Sequence, residues 1–104
     1  MRKRFIVALA SANEEQDQAF REFIRSAGLG WWHWLPRLWL LVDLAGEYSA
    51  AQIRDKSNEF YPGVYKLVIE LGPEQADETW AGFGPTSTDR HMFNWIANTW
   101  GKKE

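Results

Sequence analysis

Few residues in this chain are equipped for chemistry. Histidine occurs twice, at His33 and His91, and cysteine is absent. The missing cysteine removes thiolate metal sites, cysteine nucleophiles and disulfide scaffolds. His33 sits between Trp32 and Trp34, while Asp43 and Glu70 stand near the ends of two apolar runs. Together they could form a hard-metal site, since carboxylate oxygen and imidazole nitrogen suit a divalent ion. The simpler reading makes His33 a hydrogen-bonded structural residue and Asp43 a strand end before a loop. His91 is expected on the exposed first turn of a last helix. Gly82-Phe83-Gly84-Pro85-Thr86-Ser87-Thr88 precedes that helix, where free N–H groups attract phosphate. It lacks the lysine and the spacing of a phosphate loop, so a flexible loop with a cap is the better reading. No nucleophile elbow, zinc spacing or dinucleotide fingerprint occurs. No catalytic residue and no cofactor is therefore assigned.

The elements that would position these residues follow from periodicity. Phe5–Ala10 is a continuous apolar run, suited to a strand covered on both faces. After Met1-Arg2-Lys3-Arg4 it imitates a secretory signal, but six apolar residues fall short of the about 7–15 of a signal core. A buried first strand is expected instead, with a cytoplasmic setting. Asn13 opens a helix with Gln16 completing a capping box, and Glu14, Glu15 and Asp17 lie where the helix dipole favours negative charge. Phe20, Phe23, Ile24 and Ala27 make one apolar stripe, ended by Gly28.

Pro36 divides the next apolar stretch, which reads as strands over Trp31–Leu35 and Leu38–Leu44 joined at Pro36-Arg37. Ser49, with Gln52 three residues on, caps a second helix with the stripe Ala50, Ile53, Ser57 and Phe60. Val64–Leu71 returns to strand, with Tyr65, Leu67, Ile69 and Leu71 facing one way and Val64, Lys66, Val68 and Glu70 the other. A polar excursion of about 14 residues follows, within which Thr79–Phe83 is a candidate short fifth strand. Ser87 or Thr88 is expected to cap a third helix carrying Met92, Phe93, Ile96, Ala97 and Trp100.

The order β-α-β-β-α-β is the split β-α-β, ferredoxin-like pattern of an α+β domain. It implies a four-stranded antiparallel sheet with both long helices on one face. At 104 residues a single domain is expected, with residues 1–71 as its core and 72–104 as loop, short strand and C-terminal helix. No apolar run reaches the roughly 18 residues of a membrane span.

Seven tryptophans are too many for one side of such a sheet. Strand alternation sends Trp31 to one face and Trp32 and Trp34 to the other, with Trp39 on the neighbouring strand. An indole buries about 150–250 Å², and large apolar patches are rarely bare on a monomer. The C-terminal segment, with Phe93, Trp95 and Trp100, or a second copy of the chain would supply cover. Trp31, Trp32, Trp34, Trp39, Trp80, Trp95, Trp100 and His33 are the candidate interface or binding residues. Base stacking on exposed indoles is a further option, disfavoured by the formal net charge of −2.

Trp32-His33-Trp34, Trp39-Leu40-Leu41-Val42, Ser49-Ala50-Ala51-Gln52-Ile53-Arg54-Asp55, Lys66-Leu67-Val68-Ile69-Glu70-Leu71 and Trp80-Ala81-Gly82 resemble the small SinR-like and CRISPR-associated-protein-two-like proteins. The resemblance spans residues 4–83. It implies a ferredoxin-like protomer that pairs sheet to sheet, through the sheet face, as a homodimer, with the segment after the fourth strand helping to join the two chains. Nuclease members of that group carry an aspartate at the end of the first strand, where two copies hold a divalent metal. This chain has Leu9-Ala10-Ser11-Ala12-Asn13 there, and neutral side chains bind magnesium weakly. The expected function is a non-catalytic, homodimeric binding protein. The alternatives are a metal-dependent nuclease using Asp43 or Glu70, and a binder of single-stranded nucleic acid.

Overall fold

Asn13 and Ser49 settle where the two long helices begin. Each side chain accepts a hydrogen bond from the backbone N–H three residues on, and Gln16 and Gln52 return the bond to the cap's own N–H. Helix α1 runs over Glu14–Ser26 and α2 over Ala50–Phe60. Gly28 and Gly63 follow them at φ +76° and +74°, a backbone that an L side chain adopts at a cost.

The strands are β1 (Lys3–Leu9), β2 (Gly30–Leu35), β3 (Leu38–Asp43) and β4 (Lys66–Glu70). The computed structural model describes residues 2–72 and 81–100. All three pairings are antiparallel, and the sheet order is β2-β3-β1-β4. With helices packed on it, this is the α+β, ferredoxin-like arrangement that the element order implies. The chain divides into two compact units, Met1–Leu71 and Gly72–Glu104.

In the first unit, Phe5, Val7 and Leu9 of β1 meet Trp39 and Leu41 of β3 beneath Phe20 and Ile24 of α1 and Ile53 of α2. Trp31, Phe23, Phe60, Val64 and Val68 pack around this core. Phe20 is its hub: its ring lies 5.1 Å from Trp39 edge-on, 5.5 Å from Tyr61 and 5.8 Å from Phe60. Ile6, Leu40 and Val42 alternate with the core residues and so occupy the second sheet face, as does Trp32 opposite Leu40.

The second unit departs from expectation. Helical structure starts only near residue 94, and its defined element is a five-residue π-helical turn, Ile96–Trp100. Upstream, the Ser87 hydroxyl accepts from Arg90 N–H, Thr86 bridges to His91, and Met92 N–H donates to the Pro85 carbonyl. The capping residue thus closes a tight reversal instead of opening a helix. His91 is accordingly half-buried and receives the Phe93 N–H at Nδ1. Of the expected fifth strand, residues 79 and 80 lie outside the described residues, and 81–83 are not in a strand.

Candidate interaction surface

Beneath α1 the polar residues converge. His33 lies flat on Trp39, ring centroids 3.8 Å apart and 2° from parallel. Its Nδ1 is 2.9 Å from the Leu38 carbonyl oxygen and its Nε2 is 3.4 Å from Asp17 Oδ2. The Tyr61 hydroxyl donates to Asp17 Oδ1 at 2.6 Å. Both ring nitrogens of His33 face oxygen atoms inside the fold, the Leu38 carbonyl and the Asp17 carboxylate. The chemistry of this cluster is directed inward, tying α1 to the β2–β3 hairpin and to the end of α2.

Burial raises the Tyr61 phenol above its ordinary value, and the Asp17 carboxylate adds to this by accepting its proton and repelling a phenolate. The Trp39 indole N–H and Arg21 oppose the shift weakly, and the indole N–H makes no regular hydrogen bond. The folded state therefore holds the phenol proton more tightly than the unfolded chain does. Stability from this group is fully present below pH of about 10 and is lost as pH climbs from there toward the raised value. Denaturant midpoints measured from pH 8 to 11 are expected to fall more steeply in the parent than in Tyr61→Phe. Equal slopes would show that the phenol is not so held.

The metal candidates do not meet. His33, Asp43 and Glu70 stand on β2, β3 and β4, with His33 and Glu70 on opposite edges of the sheet. Asp43 pairs with Lys3 and Glu70 with Phe5, so β1 separates them by two strand spacings, about 9–10 Å. The Asp43 carboxylate accepts the backbone N–H groups of Gly46 and Tyr48 at 3.1 and 2.8 Å, which shapes the loop into α2. Asn13 is engaged as the cap of α1. Among the described residues no three His, Asp or Glu side chains gather as a metal site would require.

The glycine loop of the second unit is no phosphate cradle. A Cβ at Gly82 would run into the Phe93 ring and one at Gly84 into the Met92 sulfur, so the backbone lies flat against those side chains. Phe83 between them is left 99% exposed.

Trp39 is fully buried, and Trp32 and Trp100 are nearly so. Trp31, Trp34 and Trp95 are half-buried, with the Arg25 guanidinium 5.6 Å from the Trp31 ring. Trp80 lies outside the described residues. Among the described residues, exposed large apolar side chains are Leu35, Leu44, Phe83 and a group on the edge strand β4 and its approach, where Tyr65, Leu67 and Ile69 are 86%, 60% and 43% exposed. Ala8 and Ile6 stand opposite Leu67 and Ile69, which places this strip on the second sheet face. Its signal in the sequence is a run in which Tyr65, Leu67, Ile69 and Leu71 make one face wholly apolar while Val64 and Val68 alternate with Lys66 and Glu70 on the other, unusual for a strand at a sheet's edge.

Comparison of the chain with protein-family models, with curated proteins and with solved structures finds no match. Among the described residues, no helix is long and apolar enough to cross a membrane.

Proposed function

We propose that this chain is a small non-catalytic binding protein that pairs with a second copy of itself through the β4 side of its sheet. The observation that carries this reading is the exposed strip Tyr65, Leu67 and Ile69 on an edge strand. Flat, apolar edges recruit other strands unless they are blunted by charge, proline or a bulge. About a twofold axis each side chain counts twice. Four aliphatic side chains and two tyrosine rings then contribute on the order of 10 kcal/mol. That is comparable with the about 4–15 kcal/mol cost of association, so a reversible dimer is expected.

The inward direction of His33, Asp17 and Asp43 supports a binding role over a catalytic one. The resemblance to SinR-like and CRISPR-associated-protein-two-like proteins points toward paired ferredoxin-like protomers as well. A cytoplasmic setting is part of this reading, supported by the absence of cysteine.

Sedimentation at tens of micromolar is expected to give about twice the 12.1 kDa chain mass. The double variant Leu67→Asp/Ile69→Asp is expected to sediment as a monomer with an unchanged circular dichroism spectrum. A parent that stays at 12.1 kDa overturns the proposal. Cleavage of RNA or DNA that needs Mg²⁺ or Mn²⁺ and is lost in Asp43→Ala would favour a nuclease instead.

A further inference from the structure

Two backbone bonds fix which way each residue of β4 points. Ala10 N–H donates to the Tyr65 carbonyl, and Leu71 N–H donates to the Arg4 carbonyl. In an antiparallel ladder these groups alternate, so residues 65, 67, 69 and 71 direct their N–H and C=O toward β1. Lys66, Val68 and Glu70 direct theirs outward, and among the described residues β4 ends the sheet. No described strand pairs with this short edge, on which Lys66 and Glu70 stand two residues either side of Val68.

We infer that this edge receives β4 of a second copy, antiparallel and centred on Val68, joining two four-stranded sheets into one of eight strands. The inference rests on the self-pairing proposed above and specifies its edge and register. Each Val68 then meets its twin in a hydrogen-bonded pair. Lys66 falls opposite Glu70 of the second copy, twice. On the second face, Leu67 falls opposite Ile69 and Tyr65 opposite Leu71, also twice.

Charge selects this register. The Lys66 ammonium is held by Asn58 Oδ1 at 2.7 Å and by the Val64 and Tyr61 carbonyls at 2.7 and 3.2 Å, all of them uncharged. Glu70 is exposed and makes no ion pair with a described residue. A centre at Lys66 or at Glu70 sets like charges face to face, which is destabilising. A centre at Leu67 or at Ile69 leaves each charge opposite an uncharged residue. Only the Val68 centre places every lysine against a glutamate.

The absence of cysteine makes the register directly testable. Leu67 and Ile69 face one another as a non-hydrogen-bonded pair, with Cα atoms about 4.5 Å apart, within disulfide reach. An equimolar mixture of Leu67→Cys and Ile69→Cys chains is expected to form a disulfide-linked dimer under mild oxidation, and neither variant alone is expected to do so. Glu70→Lys, an exposed change, is expected to weaken the unlinked dimer about tenfold at low salt and less at high salt. Self-linking of Leu67→Cys or of Ile69→Cys would overturn the register in favour of a centre at that residue. A dimer that forms no link in any mixture would overturn the edge pairing while leaving self-association standing. A parent that sediments as a monomer removes both.

Discussion

Replacing Trp39 with alanine is expected to lower stability by about 3–5 kcal/mol, the largest effect of any single substitution in the first unit. The ring is fully buried on β3, against Phe20 edge-on at 5.1 Å on one side and His33 face-on at 3.8 Å on another. Its removal takes away the platform of His33 and one wall of the Phe20 cluster together, and elements from α1, β2 and β3 cannot all collapse into the space. Total stabilities of about 5–15 kcal/mol leave little margin for such a loss. Thermal unfolding of the variant is expected to shift down on the order of 20 °C. Trp39→Phe keeps most of the volume and is expected to recover more than half of the loss. If calorimetry found alanine and phenylalanine equivalent at this position, the ring would not be the core element described.

Replacing Asp17 with alanine is expected to cost about 2–4 kcal/mol, large for a residue in the first turn of a helix. Its carboxylate accepts the hydroxyl of fully buried Tyr61 at 2.6 Å and the His33 imidazole at 3.4 Å. Without it the phenol donor is buried and unpaired, and the acidic first turn of α1 loses one favourable charge. Tyr61→Phe removes donor and demand together and is expected to cost about 1 kcal/mol. In Tyr61→Phe, adding Asp17→Ala is therefore expected to do less damage than it does alone. A double-mutant cycle in urea measures this coupling, and strict additivity of the two changes would refute the link from α1 to α2.

Local signals in the sequence carried most of the first unit. Both capping boxes, the glycine stops, the Pro36-Arg37 hairpin and the alternating faces of β4 are written in residues adjacent to the features they make. Pairing across the sheet and packing between elements are non-local, and local spacing does not encode them. Nothing in the spacing of Asp17, His33 and Tyr61 indicates that α1, β2 and the end of α2 converge on one point. The carboxylate of Asp17 reads as a dipole-matching charge, and that role conceals its second one. The tryptophan count implies indole surface in need of cover, but it does not say which rings are covered: Trp39 and Trp32 are buried, and Tyr65, Leu67 and Ile69 are the exposed apolar residues along β4. The expected last helix failed for a local reason. Ser87 satisfies Arg90 in a reversal, and a capping residue does not by itself say which structure it caps.

The central position of β1 bears on how the chain comes to fold as it is made. Its two neighbours in the sheet are drawn from residues 38–43 and 66–70. During synthesis at about 5–20 residues per second, the first strand must wait several seconds for the last of its partners. Until β3 is made Phe5, Ile6 and Val7 have neither edge paired, and until β4 follows one edge stays open, the interval in which a chaperone or a neighbouring nascent chain has its best opportunity to bind them.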